Sequence, residues 1–394
     1  MECPRCHGST VPAAHYCSRC GVDLRSGDAR RTTSFAVRPD EPVASFAVVS
    51  TIMPRGSGQQ PQTYRIALTL ALVVALLAAI FGAVPIAVLV AAFAVPLVYI
   101  VYLYDVNLWE DQPVLVTVAG FGLTGALAAL FTWLWSRLLP LSNGGLDTSG
   151  PAVRDLLVLG LLVPVVGMLI TQVGPTFLAS RPAFDDLMDG LTFGVVAGVA
   201  YAAFETVVLQ WDLLTSGSQG LGDPALWMSI VFSAGFVKPL LYGTAAGLAG
   251  AEFSGLGKGY DGFTGRYLRA VVLSIVVWAL YQAGVYLLGF VGHQPLGQIL
   301  GVAWGLVLLS VLILRLRTVL HVGLMEAALE SEARLGGVGS GELDHCPQCE
   351  MPLLPQASFC SACGTSLRAK GRAVHPDGID AGHQHAHEGP EVTR

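Results

Sequence analysis

The chain has 394 residues, of which 53% are hydrophobic and 13% charged, and its mean hydropathy is +0.60. A water-soluble globule of this size carries far more charge, so the composition excludes one and points to a multi-pass membrane protein. The formal net charge of −6, without a dense basic and aromatic surface, leaves little electrostatic footprint for nucleic acid, and no nucleic-acid partner is expected.

Residues 1–26 form a cysteine module, Cys3, Cys6, Cys17 and Cys20 in the spacing C-x2-C-x10-C-x2-C, and residues 345–369 repeat it with Cys346, Cys349, Cys360 and Cys363. Two CxxC turns present four thiolates as a tetrahedron, which suits a closed, four-coordinate structural Zn²⁺ and leaves no open position for a catalytic water. Gly21 and Gly364 follow the last cysteine of each module, where the backbone must turn so that amides point at sulfur. These eight are all the cysteines in the chain. In a reducing cytosol they are expected to hold two zinc ions rather than four disulfides. Each module resembles the short zinc ribbons at the ends of many bacterial membrane proteins.

Residues 27–63 read as a linker rich in Ser, Thr, Arg, Pro and Gly, in which "SFAV" occurs at 34–37 and again at 45–48. No cleavable signal peptide is expected before the first span, because the opening residues lack an apolar core. The membrane domain, 64–320, contains eight nearly uncharged stretches: 64–83, 85–104, 114–138, 153–177, 187–211, 225–250, 267–291 and 296–320. Each is long enough to cross a bilayer as a helix. The expected fold is therefore an all-α polytopic helix bundle of about eight spans flanked by two small zinc ribbons.

Lys and Arg in the loops set the orientation. With the N-terminus inside, the inner side receives Arg55, Arg65, Arg181, Lys258, Arg266, Arg269, Arg315 and Arg317, and the outer side only Arg137 and Arg154. The bias predicts a cell-membrane protein with both termini in the cytosol, since eight spans return the chain to the side on which it started. Residues 321–344 are expected to be a helical or flexible joint. The tail, 370–394, is expected to be disordered, with His375, His383, His385 and His387 in solvated polar sequence.

Charge inside the bilayer is costly and tends to be paired or functional. Glu205 in "VAYAAFETVVLQW" and Lys238 in "SAGFVKPLLYG" stand out. Counted from the outer ends of their spans at 1.5 Å per residue, Glu205 lies roughly 10 to 14 Å down and Lys238 roughly 20 Å, a gap that a lysine side chain bridges. Two readings stand: an intramembrane ion pair, or two groups that meet water or backbone carbonyls separately. Gly190, Gly194 and Gly198, with Gly243 and Gly247, form stripes that let helices approach closely.

The segment "FDDLMDGLTFGVVAGVAYAAFETVV" resembles part of the PrsW family of intramembrane metalloproteases, with Tyr201 in the place of the family's Phe and Glu205 matching its glutamate. The likeness runs on through "KPLLYGTAAG", with Lys238 where a His belongs, and "WALYQ", with Trp278 for His and Gln282 for the acid or amide. It covers roughly residues 151–291. Where the family carries a Glu-Glu pair, Val166 and Gly167 stand in "PVVGMLIT". The resemblance implies Glu and His side chains that hold a metal and activate water. Here Glu205 alone survives, so it is the catalytic candidate only if activity persists. Neither a protonated Lys238 nor Trp278 has a lone pair for zinc.

There is no HExxH, no phosphate loop and no serine nucleophile elbow. "GLGD" at 220–223 with "YD" at Tyr104 and Asp105 matches aspartyl-protease signatures, but the expected topology sets Asp105 and Asp223 on opposite sides of the bilayer, and such aspartates must meet to share a proton. The leading expectation is a PrsW-like core that has lost proteolysis, with Glu205, Lys238, Gln282 and Tyr201 as an intramembrane polar site. It would act as a membrane sensor or scaffold whose ribbons engage a cytosolic protein. An active metalloendopeptidase with altered ligands and a small transporter or channel are the alternatives.

Overall fold

The computed structural model describes residues 2–11, 14–24, 63–81, 83–106, 114–141, 151–181, 184, 187–216, 224–255, 262–292, 295–335, 345–346, 348–354 and 357–365. The linker up to residue 62, the GLGD loop with Asp223, the joint at 336–344 and the histidine tail lie outside them.

Between the cysteine modules the described chain is helical. We number the helices α1 (Thr63–Ile80), α2 (Val84–Val106), α3 (Val114–Leu138), α4 (153–179), α5 (Leu187–Leu209), the short α6 (Trp211–Ser216), α7 (224–254), α8 (Gly265–Leu288) and α9 (Leu296–Leu335). Six of them, α3, α4, α5, α7, α8 and α9, are long and apolar enough to cross a membrane. Large apolar side chains such as Leu115, Val153 and Leu268 lie on their outer faces, as lipid requires. The first two expected spans are α1 and α2, whose shorter apolar stretches run over Thr69–Ala78 and Pro85–Val98. They pair as a hairpin around Ala75, Ala87, Val88 and Ala91, with Val231 of α7 closing the cluster. The joint expected after residue 320 begins as helix, because α9 continues without a break to Leu335.

Two helices are composite. In α4 a π turn at Val158–Leu162 precedes Pro164, and in α7 a π turn at Ser233–Val237 precedes Pro239. Proline has no N–H and its ring crowds the carbonyl four residues back, and the wider π turn relieves both problems without ending the helix. The extra residue also moves the following side chains about 100° round the axis. Lys238, the first residue after the turn in α7, takes its direction from this shift. At the start of α8, Thr264 caps the helix by accepting from the Tyr267 amide at 3.2 Å.

The centre of the bundle is α5, whose apolar window is 83% buried by protein, against 28% for α3 and for α8. Its glycine stripe faces α7 antiparallel. Gly190 lies against the Gly250 carbonyl and Ser254, Gly194 against Ala246 and Gly247, and Gly198 against Tyr242 and Gly243. Any Cβ on these glycines would enter the backbone of α7. Lipid chains are as apolar as leucine, so helices associate here through close packing of small residues rather than through expulsion of water.

A paired substitution tests this contact. Gly198→Val should destabilise the protein in detergent by about 3 kcal/mol or more, since a backbone cannot yield as a side chain can. Gly120→Val and Gly122→Val, on α3 where an added Cβ meets nothing within 4 Å, should stay within about 0.5 kcal/mol of the parent. Thermal unfolding of the purified variants, side by side, reads the difference.

Candidate functional site

Each cysteine module places its four sulfurs within 4.8 Å of one another. Cys3 lies 3.6 Å from Cys20 and Cys6 3.7 Å from Cys17, while Cys346 lies 3.7 Å from Cys363 and Cys349 3.6 Å from Cys360. A tetrahedron with Zn–S bonds near 2.3 Å has edges of about 3.8 Å, so the observed spacing fits zinc. It is far longer than the ~2.05 Å of a disulfide. All eight cysteines are free thiols, and both tetrads alternate buried and half-buried ligands. These eight would hold two zinc ions as closed structural sites.

Four copies of one backbone knuckle build the tetrads. In each, the residue after the second cysteine donates its amide to the carbonyl of the first: His7 to Cys3, Gly21 to Cys17, Glu350 to Cys346 and Gly364 to Cys360. The first cysteine's own amide reaches the carbonyl two residues beyond the second, as Cys3 does to Gly8 and Cys346 to Met351. All four turning residues have positive φ, between 53° and 75°. The sequence marked two of these turns by glycine, but His7 and Glu350 take the same conformation without it, a strained choice that four thiolates on one ion would hold in place.

The two ribbons touch. The amides of His15 and Tyr16 donate to the Ser361 carbonyl, and those of Ser358 and Phe359 donate to the Ser18 carbonyl, at 2.9 to 3.0 Å. The Tyr16 ring covers Gly364, and the Phe359 ring covers Gly21. Each of these hydrogen bonds and ring contacts has its mirror between equivalent residues, so the ribbons form a pseudo-twofold pair within one chain. Two domains in contact lie on one side of a membrane, so the chain between them crosses an even number of times. Six membrane-length helices satisfy this whether or not the α1–α2 hairpin also spans.

The second site lies inside the bundle, on α5 and α7. Glu205 is fully buried, and the Lys238 ammonium stands 2.9 Å from its carboxylate. By angle, however, neither Glu205 oxygen accepts a hydrogen bond. The lysine instead donates to Thr206 Oγ1 at 3.3 Å, and Thr206 donates onward to the Ala202 carbonyl at 2.7 Å. The Glu205–Lys238 contact is therefore held by charge more than by a directed hydrogen bond. The ammonium also lies 5.8 Å from the centre of the Tyr242 ring, where the electron-rich face of an aromatic attracts a cation.

Around the pair, aromatic rings fill the interior. Tyr242 stacks on Trp278 at 3.8 Å, and Tyr201 packs on Trp278 at 5.3 Å. Gln282 donates to the Tyr242 hydroxyl, and the hydroxyls of Tyr281 and Ser233 share a hydrogen bond at 3.2 Å. On α4, Gly167 abuts the Tyr201 hydroxyl and Trp278, and a Cβ there would lie within 3.0 Å of both. Tyr201, Glu205, Lys238, Trp278 and Gln282, with Gly167, thus come together in one cluster, although they come from four helices. Sequence reasoning missed Thr206, Tyr242, Tyr281 and Ser233. Tyr242 was readable in principle, since it lies one helical turn beyond Lys238 on the same face. A further buried polar contact, Gln172 of α4 to the Ala246 carbonyl at 3.2 Å and to the Tyr267 hydroxyl at 3.4 Å, also gave no motif.

Removing one partner of a buried ion pair strands the other charge, at a cost of about 3–5 kcal/mol. Lys238→Met alone should lower stability by that amount. Adding Glu205→Gln should recover most of it, measured by thermal unfolding in the same detergent. For the ribbons, pH is the probe. In the metal-free N-terminal tetrad, Cys20 is raised to about 12: the Val22 amide lowers it, but burial and hydrogen bonds to neighbouring thiols outweigh that. Burial raises Cys3, yet backbone donors at Cys6 and Arg5 and the neighbouring thiols bring it down to about 6. In the C-terminal tetrad, burial raises Cys363 too, and the hydroxyl and amide of Thr365 help bring it down to about 7. Zinc must displace the Cys20 proton throughout the neutral range, with those of Cys349 and Cys360, which burial raises in the C-terminal tetrad, and below pH 7 to 6 it must also displace those of Cys363 and Cys3. Zinc retention should therefore fall as pH falls and steepen below about pH 6, read by release to a colorimetric chelator.

Compared with protein-family models, curated proteins and solved structures, the chain matches none of them.

Proposed function

We propose that the chain is a non-catalytic membrane sensor or scaffold, built on a PrsW-like core that has lost proteolysis. Its two zinc ribbons lie in the cytosol, face a protein partner there and stabilise the chain ends. The support is the ion pair: the carboxylate that an intramembrane metalloprotease would use to hold metal or activate water is met at 2.9 Å by the Lys238 ammonium. An ammonium has no lone pair to give and competes with any cation for the same oxygens. Glu205 is fully buried, as are Tyr201 and Trp278 of the same cluster. Among the described residues, the two cysteine tetrads alone gather three or more metal-ligating side chains.

The convergence of Gly167, Glu205, Lys238, Trp278 and Gln282 supports the PrsW-like part of the reading, because these positions carry the resemblance and meet at one place. The inner-side excess of arginine and lysine supports cytosolic ends at the cell membrane. A helix-buried ion pair in a tightly packed core suits a rigid frame or a two-state element better than a hydrolytic site, which needs room for water and a peptide.

Metal analysis decides between this reading and an active enzyme. The purified chain should carry two zincs, and the variant with all eight cysteines changed to serine should carry none. A third metal that survives this change and is lost in Glu205→Gln would overturn the proposal.

A further inference from the structure

The backbone hydrogen bonds and the ring contacts between the ribbons are made by residues of a zinc knuckle or by the two residues before it. The accepting carbonyls belong to Ser18 and Ser361, each enclosed between the cysteines of a CxxC pair. The donating amides are those of the two residues before Cys17 and before Cys360. The Tyr16 and Phe359 rings rest on Gly364 and Gly21, the positive-φ residues that complete the opposite knuckles. One ribbon's interface therefore has its shape only when that ribbon's last two cysteines are drawn together.

The apolar interior is also shared. Val11 and Ala14 of the first ribbon pack with Met351 of the second in one cluster, joined by Leu24, Leu354 and Val322 of α9. A module of about 25 residues cannot bury enough apolar surface to fold alone and depends on metal, disulfides or a partner. Here each ribbon has both supports, its own tetrad and the other ribbon. Both ends are tethered to the same bundle, so the pairing is intramolecular and its effective concentration is high.

We propose that the two ribbons are one cooperative metal-binding unit: zinc at either tetrad raises the affinity of the other, and loss of either zinc releases both chain ends. Zinc shapes the knuckle, the knuckle forms the interface, and the interface orders the second knuckle before its metal arrives. By linkage the effect is equal in both directions. The ribbons are then each other's first partner, and their metal status is read as a single state next to Val322, beside the point where Gly323 of α9 meets Leu187 and Met188 of α5.

The test uses the full-length protein in detergent, stripped of metal and titrated with Co²⁺ by its thiolate charge-transfer absorption, then with Zn²⁺ in competition with a chromophoric chelator. In the parent the two sites should fill together. In the variant Cys346→Ser, Cys349→Ser, Cys360→Ser, Cys363→Ser, zinc dissociation at the N-terminal tetrad should rise at least tenfold. Because that variant leaves a misfolded ribbon, a second one keeps all eight thiolates. Tyr16→Ala with Phe359→Ala should still bind two zincs at saturation, but independently and about tenfold more weakly each. Unchanged affinity of the N-terminal tetrad in the cysteine variant, or parent-like joint filling in the aromatic variant, would overturn the proposal.

Discussion

The backbones of α5 and α7 come into direct contact because three glycines on one face of α5 leave nothing between them, and the rest of the membrane domain is arranged round that contact. In lipid the gain on association comes from packing and from polar contacts between helices, so the closest approach is also the firmest point. It brings two carboxylate- and ammonium-bearing helices close enough for Glu205 and Lys238 to meet. With a bulkier residue at Gly198 the helices would stand apart and each charge would have to find water or a carbonyl alone. The shift introduced by the π turn before Lys238 is the second half of the same device, because it sets the direction of the lysine while the glycines set the distance.

A charge pair in such a place is poor evidence for stability, since desolvation offsets much of the attraction. Its value lies in specificity. The lysine's donation to Thr206, the stacked Tyr242 and Trp278, and the glutamine that holds the Tyr242 hydroxyl allow one registry of α5, α7 and α8 and penalise others. The same packing leaves the carboxylate enclosed and paired with the Lys238 ammonium.

At the other end of the molecule the constraint is the convergence of four sulfurs in each tetrad. Four equivalent knuckles, two of them turned by residues other than glycine, bring those sulfurs together. Because the ribbons pair, they also constrain the membrane domain. Paired ribbons require an even number of crossings, a parity that the eight apolar stretches and the six membrane-length helices both satisfy.

Much of this was legible in the sequence. The helices follow the apolar stretches to within a few residues, except that α9 runs on past residue 320 to Leu335, since length and absence of charge are what the bilayer demands, and the cysteine spacing announced both tetrads. The cost of charge in lipid singled out Glu205 and Lys238, and the resemblance added Tyr201, Trp278 and Gln282, but which of these residues touch depends on how the helices pack. Thr206, Tyr242 and Ser233 have ordinary residue types for membrane helices, and only the rotation of one helix against another gave them partners. The sequence by itself determined the solvent of each segment and the ligands of each metal site, because these depend on residue type and local spacing. The tertiary structure alone decided that Lys238 faces Glu205 and that the two ribbons face each other, because both contacts join segments distant along the chain, and their geometry is set by backbone approach and side-chain direction rather than by composition.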